Sequence, residues 1–270
     1  MKINKNFSYI DLFNLNKKVV VVTGASGQIG TELVQGLLDN KATVIGSDKN
    51  IDFLMINAKE RKWNKKYFLP VKCNITNLDE VKNLFFLSKK KFKIIDALIN
   101  NAGIAVFKPF IKRTEQEIDD VVNVNIKGTI FCIQEFLKIY NKNKSVEFGN
   151  IVNIASLYGL VSPDPKIYTD TKRNSSEIYG ATKAGIIQLT KYFAVHASNY
   201  NVKVNSVSPG GILSNQGKNF IKNYSRNCPI GRMANINEII GSIIFLLSPA
   251  ASYINGHNLI IDGGFTSWWI

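Results

Sequence analysis

The stretch "VVVVTGASGQIG", residues 19–30, decides the fold. Four valines lead into Thr23, a run apolar enough to lie inside a sheet covered on both faces. Glycines follow at 24, 27 and 30. Behind them "TELVQGLLDN" (31–40) shows the 3.6-residue apolar period of a helix. Strand, glycine turn and helix in this order form the context in which a dinucleotide pyrophosphate is held. Gly24 permits the tight turn, and Gly27 and Gly30 allow backbone and helix to come close. The helix N-terminus offers free N–H groups and the positive end of its dipole to the phosphates.

An acid is then expected at the end of the second strand, on the ribose 2′-hydroxyl. Asp48 stands there, 24 residues after Gly24. Its charge repels a 2′-phosphate, which favours NAD over NADP. The adjacent Lys49 offsets part of that repulsion, so NADP stays open.

Working outward, short apolar runs alternate with helical periods along the whole chain. Strands are predicted at 18–23, 42–47, 67–73, 94–100, 149–156, 202–208 and 258–262. Helical patterns fill the intervals, the longest at 117–140. Such alternation implies right-handed βαβ units. The expected fold is α/β: a doubly wound Rossmann fold, with a seven-stranded parallel sheet and helices on both faces. Residues 1–16 read as an N-terminal arm and 17–270 as one Rossmann-fold domain, with no linker or repeat between.

Composition narrows the function classes. Hydrophobic residues make up 45% of the 270 and charged residues 20%, the balance of a globular chain. Three cysteines, Cys73, Cys132 and Cys228, form no C-x-x-C pair, which argues for a reducing, cytoplasmic setting. Two histidines without ligand spacing give no support to a metal site. No run reaches the length of a membrane span, and the N-terminus lacks a signal-peptide pattern. The formal charge of +14 is scattered among asparagines, as in "NKNK" at 141–144, and does not mark a nucleic-acid face.

Further residues point to chemistry. "YGATK" sets Tyr179 and Lys183 four apart, on one face of a helix. A phenol beside an ammonium and a positive nicotinamide ring has its pKa lowered, so Tyr179 becomes a general acid/base for an alcohol–ketone pair. Ser156 ends the fifth strand, at the sheet edge where open α/β folds bind ligands. Asn125 sits inside the long helical pattern, where asparagine is unfavourable.

Together with "NNAG" (100–103), "NSVSPGGI" (205–212) and "IDGG" (261–264), these motifs resemble the short-chain dehydrogenase/reductase family over about residues 17 to 265. The resemblance implies an acid/base role for Tyr179. It implies that Lys183 holds the nicotinamide ribose, that Ser156 orients substrate, and that Asn125 anchors a relay water. Ser26, Gln28 and Ile29 would join the glycines at the phosphates, with Asn74 and Ile75 near the adenine. Asn101, Ala102 and Gly103 would line the cofactor after the fourth strand. Pro209, Gly210, Ile212 and Ser214 would meet its nicotinamide end. It also implies a homodimer or homotetramer, with 114–140 and 177–198 at one interface.

Three features depart from the usual pattern. Gln28 occupies a glycine position, giving the T-G-x-x-G-x-x-G spacing typical of the nucleotide-sugar branch. We expect Gln28 to contact the cofactor. Asn74 replaces a common aspartate. The interval from Ser156 to Tyr179, 23 residues, exceeds the family norm, so 157–178 is expected to form a loop at the substrate mouth. Within it Lys166, Tyr168, Lys172 and Arg173 are candidates to meet a hydroxylated or anionic substrate. Segment 213–235 is expected to form an irregular, mobile lid, and "FTSWWI" (265–270) to pack at an interface or site.

The function expected is hydride transfer between NAD(H) and an alcohol or ketone, on a sugar or sugar derivative of surface-glycan synthesis. Two alternatives remain open: a nucleotide-sugar epimerase or dehydratase, and a non-catalytic NAD-binding regulator. Partners are then a small-molecule carbonyl or alcohol substrate, with no nucleic acid and no membrane.

Overall fold

The computed structural model describes residues 8–140, 148–169 and 174–268. Seven parallel strands form one sheet in the order β3-β2-β1-β4-β5-β6-β7. They are β1 (Val19–Thr23), β2 (Thr43–Asp48), β3 (Phe68–Lys72), β4 (Ala97–Asn100), β5 (Gly149–Ile154), β6 (Val202–Pro209) and β7 (Asn258–Ile261). Each lies within one of the expected runs or within a residue of it. The order reverses direction between β1 and β4, so loops leaving those two strands diverge and open a crevice.

Period-two alternation along the strands builds two cores. Val20, Val22, Ile99 and Val152 face one side, where α1 (Gln28–Asp39), α2 (Ile51–Glu60) and α8 (Ile236–Leu247) supply Leu33, Leu37, Leu54, Ile239 and Ile243. Val19, Val21, Leu98 and Ile151 face the other. There α3 (Leu78–Phe92) and α5 (Thr129–Tyr140) supply Leu84, Phe85, Ile133 and Phe136, and α6 (Glu177–His196) supplies Ala194. Emptying one such position, for example Leu33→Ala, removes about 2–5 kcal/mol.

The predicted helix 117–140 runs without a break but changes its winding midway. It comprises α4 (Glu115–Val122), a π-helical segment Asn123–Gly128, and α5. Asn125 lies in the π turn, so its misfit with helix propensity marks a local change of winding. The segment expected to be irregular contains α7 (Lys218–Arg226), whose Tyr224 is buried. The arm folds into a 3-10 turn at Tyr9–Phe13, with Phe13 against Phe245 of α8. All three cysteines are free and buried. Among the described residues no helix is long and apolar enough to cross a membrane.

Candidate active site

The turn after β1 is shaped by contacts that admit no side chain. Gly24 has φ +64° and its Hα side faces Ala102, where a Cβ would lie 2.7 Å from Ala102 Cα. A Cβ on Gly30 would lie 2.1 Å from the Gly24 carbonyl oxygen. Thr23 Oγ1 accepts from the N–H groups of Asn101 and Ala102, each at 3.1 Å. The Asn101 amide returns bonds to the Thr23 and Gly24 carbonyls at 3.0 and 2.9 Å. The ends of β1 and β4 are thus locked together, and the N-terminus of α1 is held beside them.

A cavity of about 340 Å³ lies over this turn. It brings together Gly24, Ser26, Gly27, Gln28, Ile29 and Gly30 with Asp48, Asn74, Ile75, Asn101, Ala102 and Gly103. Asp48 Oδ2 accepts from Ser26 N–H at 3.1 Å and Oδ1 from Asn50 N–H at 2.9 Å. Asn74 turns its Oδ1 to Thr76. The exposed Gln28 sends its amide to Leu213 O at 3.4 Å, joining the start of α1 to the segment after β6. Lys49, weighed above for its charge beside Asp48, also lines the cavity; Cys73, Ile104 and Val124 complete the lining and were not read from sequence as site residues. Burial pushes the Cys73 thiol up to about 12, so it stays protonated and inert. Cys73 follows β3 and packs on the same side as Val71, an alternation that was the signal available.

A second cavity, of about 250 Å³, opens at the ends of β5 and β6. Ser156 and Tyr179 line it, with Gly210 and Ile212. Ser156 Oγ accepts from Tyr158 N–H at 3.2 Å, and its hydroxyl acts to lower the Tyr179 pKa. Behind them Lys183 is 5% exposed and donates to Ile154 O at 2.6 Å, with Nζ 5.6 Å from the Tyr179 ring centre. Asn125 clasps Ile104 through both its N–H and its carbonyl, at 2.9 and 3.0 Å, and donates to Thr182 Oγ1 at 3.0 Å. A Cβ on Gly103 would lie 3.4 Å from both Asn125 Oδ1 and Lys183 Nζ, so these groups converge on the seam between the cavities. Pro209 ends β6 at the same rim. Ser214 is exposed, its N–H on Gln216 Oε1 at 2.6 Å.

The electrostatics differ from the expectation in one respect. Burial raises the Tyr179 pKa, and the Ser156 hydrogen bond opposes it only in part. Burial also lowers Lys183 to about 8. In the chain alone desolvation dominates the Tyr179 pKa, and the Lys183 ammonium donates to Ile154 O.

The inserted segment is built as a wall. The 3-10 turns Leu157–Gly159 and Pro165–Ile167 bring Tyr158 and Tyr168 together, hydroxyl to hydroxyl at 3.0 Å. Gly159 packs so closely on α6 that a Cβ would lie 2.7 Å from Lys183 C. Helix α7 docks on the loop through the tilted rings of Tyr168 and Phe220 at 5.3 Å, and its Tyr224 stacks on Phe265, beyond β7, at 4.9 Å. Asn223 donates to Thr169 Oγ1 at 2.9 Å, and Tyr224 Oη accepts from Gly211 N–H at 2.5 Å. Lys166 points its side chain to solvent rather than into the cavity; Lys172 and Arg173 lie outside the described residues. Phe107, Tyr158, Gln216, Phe220, Tyr224 and Met233 line the cavity and escaped the sequence reading. They come from segments far apart in the chain, and no local period marks them.

Residues 24–266 match the family model described as enoyl-(acyl carrier protein) reductase. The chain belongs to the short-chain dehydrogenase/reductase family. It is 31% identical to the post-translational flagellin modification protein A of Campylobacter coli, over 93% of this chain and 99% of that one. It is 32% identical to an NADH-dependent L-xylulose reductase of Ambrosiozyma monospora, over 96% and 99%. Among solved structures, a short-chain dehydrogenase from Leptospira borgpetersenii with bound NAD+ superposes with a TM-score of 0.86 at 39% identity, covering 98% of this chain and 99% of that one. The chain is therefore an NAD(P)-dependent oxidoreductase of this family.

The first cavity fits such a cofactor. Gly24 and Gly30 leave space where a Cβ cannot go, and the first N–H groups of α1 have no partner within the helix.

Proposed function

We propose that the chain interconverts a secondary hydroxyl and a ketone on a polyol, sugar or sugar derivative, with NAD(H) and with Tyr179 as acid/base. One observation carries this reading: Tyr179, Ser156, Lys183 and Asn125 converge on the seam between a phosphate-suited cavity and a hydroxyl-rich one. Asp48 and the glycine turn hold the dinucleotide, and Asp48 favours NAD by repelling a 2′-phosphate. Likeness to an NADH-dependent reductase and to a structure with NAD+ supports that preference. When bound, the nicotinamide supplies or accepts the hydride.

The protein's part is proton handling and orientation. Tyr179 Oη gives its proton to the carbonyl oxygen in reduction and takes it back in oxidation. Burial keeps the phenol protonated in the resting chain, so it is charged for reduction. Ser156 Oγ holds the reacting oxygen beside Tyr179. Lys183, close to the tyrosine ring, restores the proton from its ammonium. Asn125 fixes Ile104 and the π turn beside Lys183, which keeps the seam open. The Tyr158–Tyr168 pair offers donors and acceptors to a neighbouring substrate hydroxyl. Likeness to a sugar reductase and to a flagellin modification protein supports a polyhydroxylated substrate.

A panel of pentitols, hexitols and their ketoses, assayed with NAD(H) and NADP(H), tests the proposal. Net cofactor turnover on at least one pair, faster with NAD(H), is expected. Tight NADH binding with no turnover across the panel would instead identify a regulator.

A further inference from the structure

The cavity at the ends of β5 and β6 carries one polar side chain to which the proton chemistry gives no part. Gln216 lies two residues before α7, partly buried, and lines this cavity. Backbone fixes its amide at both ends. Oε1 accepts from Ser214 N–H at 2.6 Å, and Nε2 donates to Ile212 O at 2.8 Å. A flipped amide would set oxygen against oxygen at Ile212 and N–H against N–H at Ser214, so only one orientation is possible. Nε2 carries two protons. One goes to Ile212 O, and the second has no acceptor among the described residues.

The other polar groups of the cavity are engaged or free to change role. Ser156 and Tyr179 serve the reacting oxygen. The Tyr158 and Tyr168 hydroxyls bond each other at 3.0 Å, and either can be the donor. Gly211 N–H is taken by Tyr224 Oη. The Ser175 hydroxyl rotates, so it donates or accepts without discriminating. No charged side chain lines the cavity among the described residues, and Phe107, Leu157, Phe220 and Met233 make much of its wall apolar. Hydrogen bonds, not ion pairs, must therefore tell one substrate from another here. Gln216 is the sole side-chain amide among these lining residues, and its anchored donor cannot swing away. A substrate with no oxygen at that point leaves the N–H desolvated and unpaired, which is unfavourable.

We propose, resting on the hydroxyl–ketone reading above, that Gln216 determines specificity. Its second Nε2 proton is donated to a substrate oxygen other than the reacting one. The site thereby selects alcohols that bear a second hydroxyl over alcohols that bear only one.

The test compares 2,3-butanediol with 2-butanol, which differ by a single hydroxyl, as substrates of the full chain with NAD+. The wild type should favour the diol by about tenfold in kcat/KM. Gln216→Met removes the donor. Gln216→Glu keeps the length and the acceptor for Ser214 N–H but puts oxygen in place of Nε2. Each should reduce the diol preference by about fivefold, through KM for the diol more than through kcat. An equal loss on both alcohols would overturn the proposal, because Gln216 would then only hold the loop. A diol preference retained in whichever variant folds would overturn it too, as would a wild type without that preference. Turnover of neither alcohol, and of no pair in the polyol panel, would instead fail the hydroxyl–ketone reading and take the proposal with it.

Discussion

The two halves of the crevice are made in different ways. The half over β1, β2 and β4 is shaped by backbone: Gly24 and Gly30 fill spaces that exclude a Cβ, and Asn101 bolts two strand ends together. The half over β5 and β6 is shaped by side chains that the insertion and α7 bring from a distance, with tyrosine and phenylalanine rings packed into a wall. A backbone-built site has one shape and one occupant. A side-chain wall can be recut by a few substitutions without disturbing the cofactor. Variants should therefore fail in one half or the other, and the seam residues should be where both meet.

The largest effect is expected at the seam. Tyr179→Phe should lower turnover by roughly 10²–10⁴-fold and leave NADH affinity within a factor of about two, by fluorescence titration. Wild-type turnover in this variant would remove Tyr179 from the chemistry.

Within the backbone-built half, Gly30→Ala should weaken NADH binding about a hundredfold, because the turn must shift by an amount that costs close to 3 kcal/mol. Unchanged NADH affinity would show that the close approach to Gly24 O has no bearing on the cofactor.

Lys183 probes the seam through pH. Its folded pKa of about 8 lies below the ordinary 10.5. Below pH 8 the ammonium is present in both states and its burial penalty is complete. Between about 8 and 10.5 the unfolded chain holds the proton and the folded chain does not, so stability rises with pH. Relative to Lys183→Met, the wild type should gain roughly 3 kcal/mol between pH 7 and pH 10.5 in urea unfolding without cofactor. A difference that does not move with pH would contradict the burial of this group.

The smallest effect belongs to the side-chain wall. Tyr158→Phe breaks the hydroxyl pair and should raise substrate KM by several-fold, about 1 kcal/mol, with NADH affinity unchanged. A change in NADH affinity without one in KM would erase the distinction between the halves.

The same contrast explains what could be read from the sequence. Gly24 and Gly30 are legible because a residue type reports a backbone need, and Asp48 because its place at a strand end is fixed by the fold. Helix α7 was hidden because it is short and mostly polar, with its apolar face reduced to Phe220, Ile221 and Tyr224. The π turn at Asn125 was visible only as a misfit. Lys17, Lys41, Lys62 and Lys93 adopt φ values of 55–66° ahead of strands. Glycine or asparagine usually signals such positions, so these boundaries had no marker.

The most direct test of hydride transfer to substrate follows a label. The chain is incubated with NADH deuterated at the transferable position and with the ketose that the panel identifies. The account predicts deuterium on the new carbinol carbon and an equal amount of NAD+. Substrate altered without deuterium at that carbon, and with the cofactor still reduced at the end, would contradict it and point to chemistry that returns the hydride.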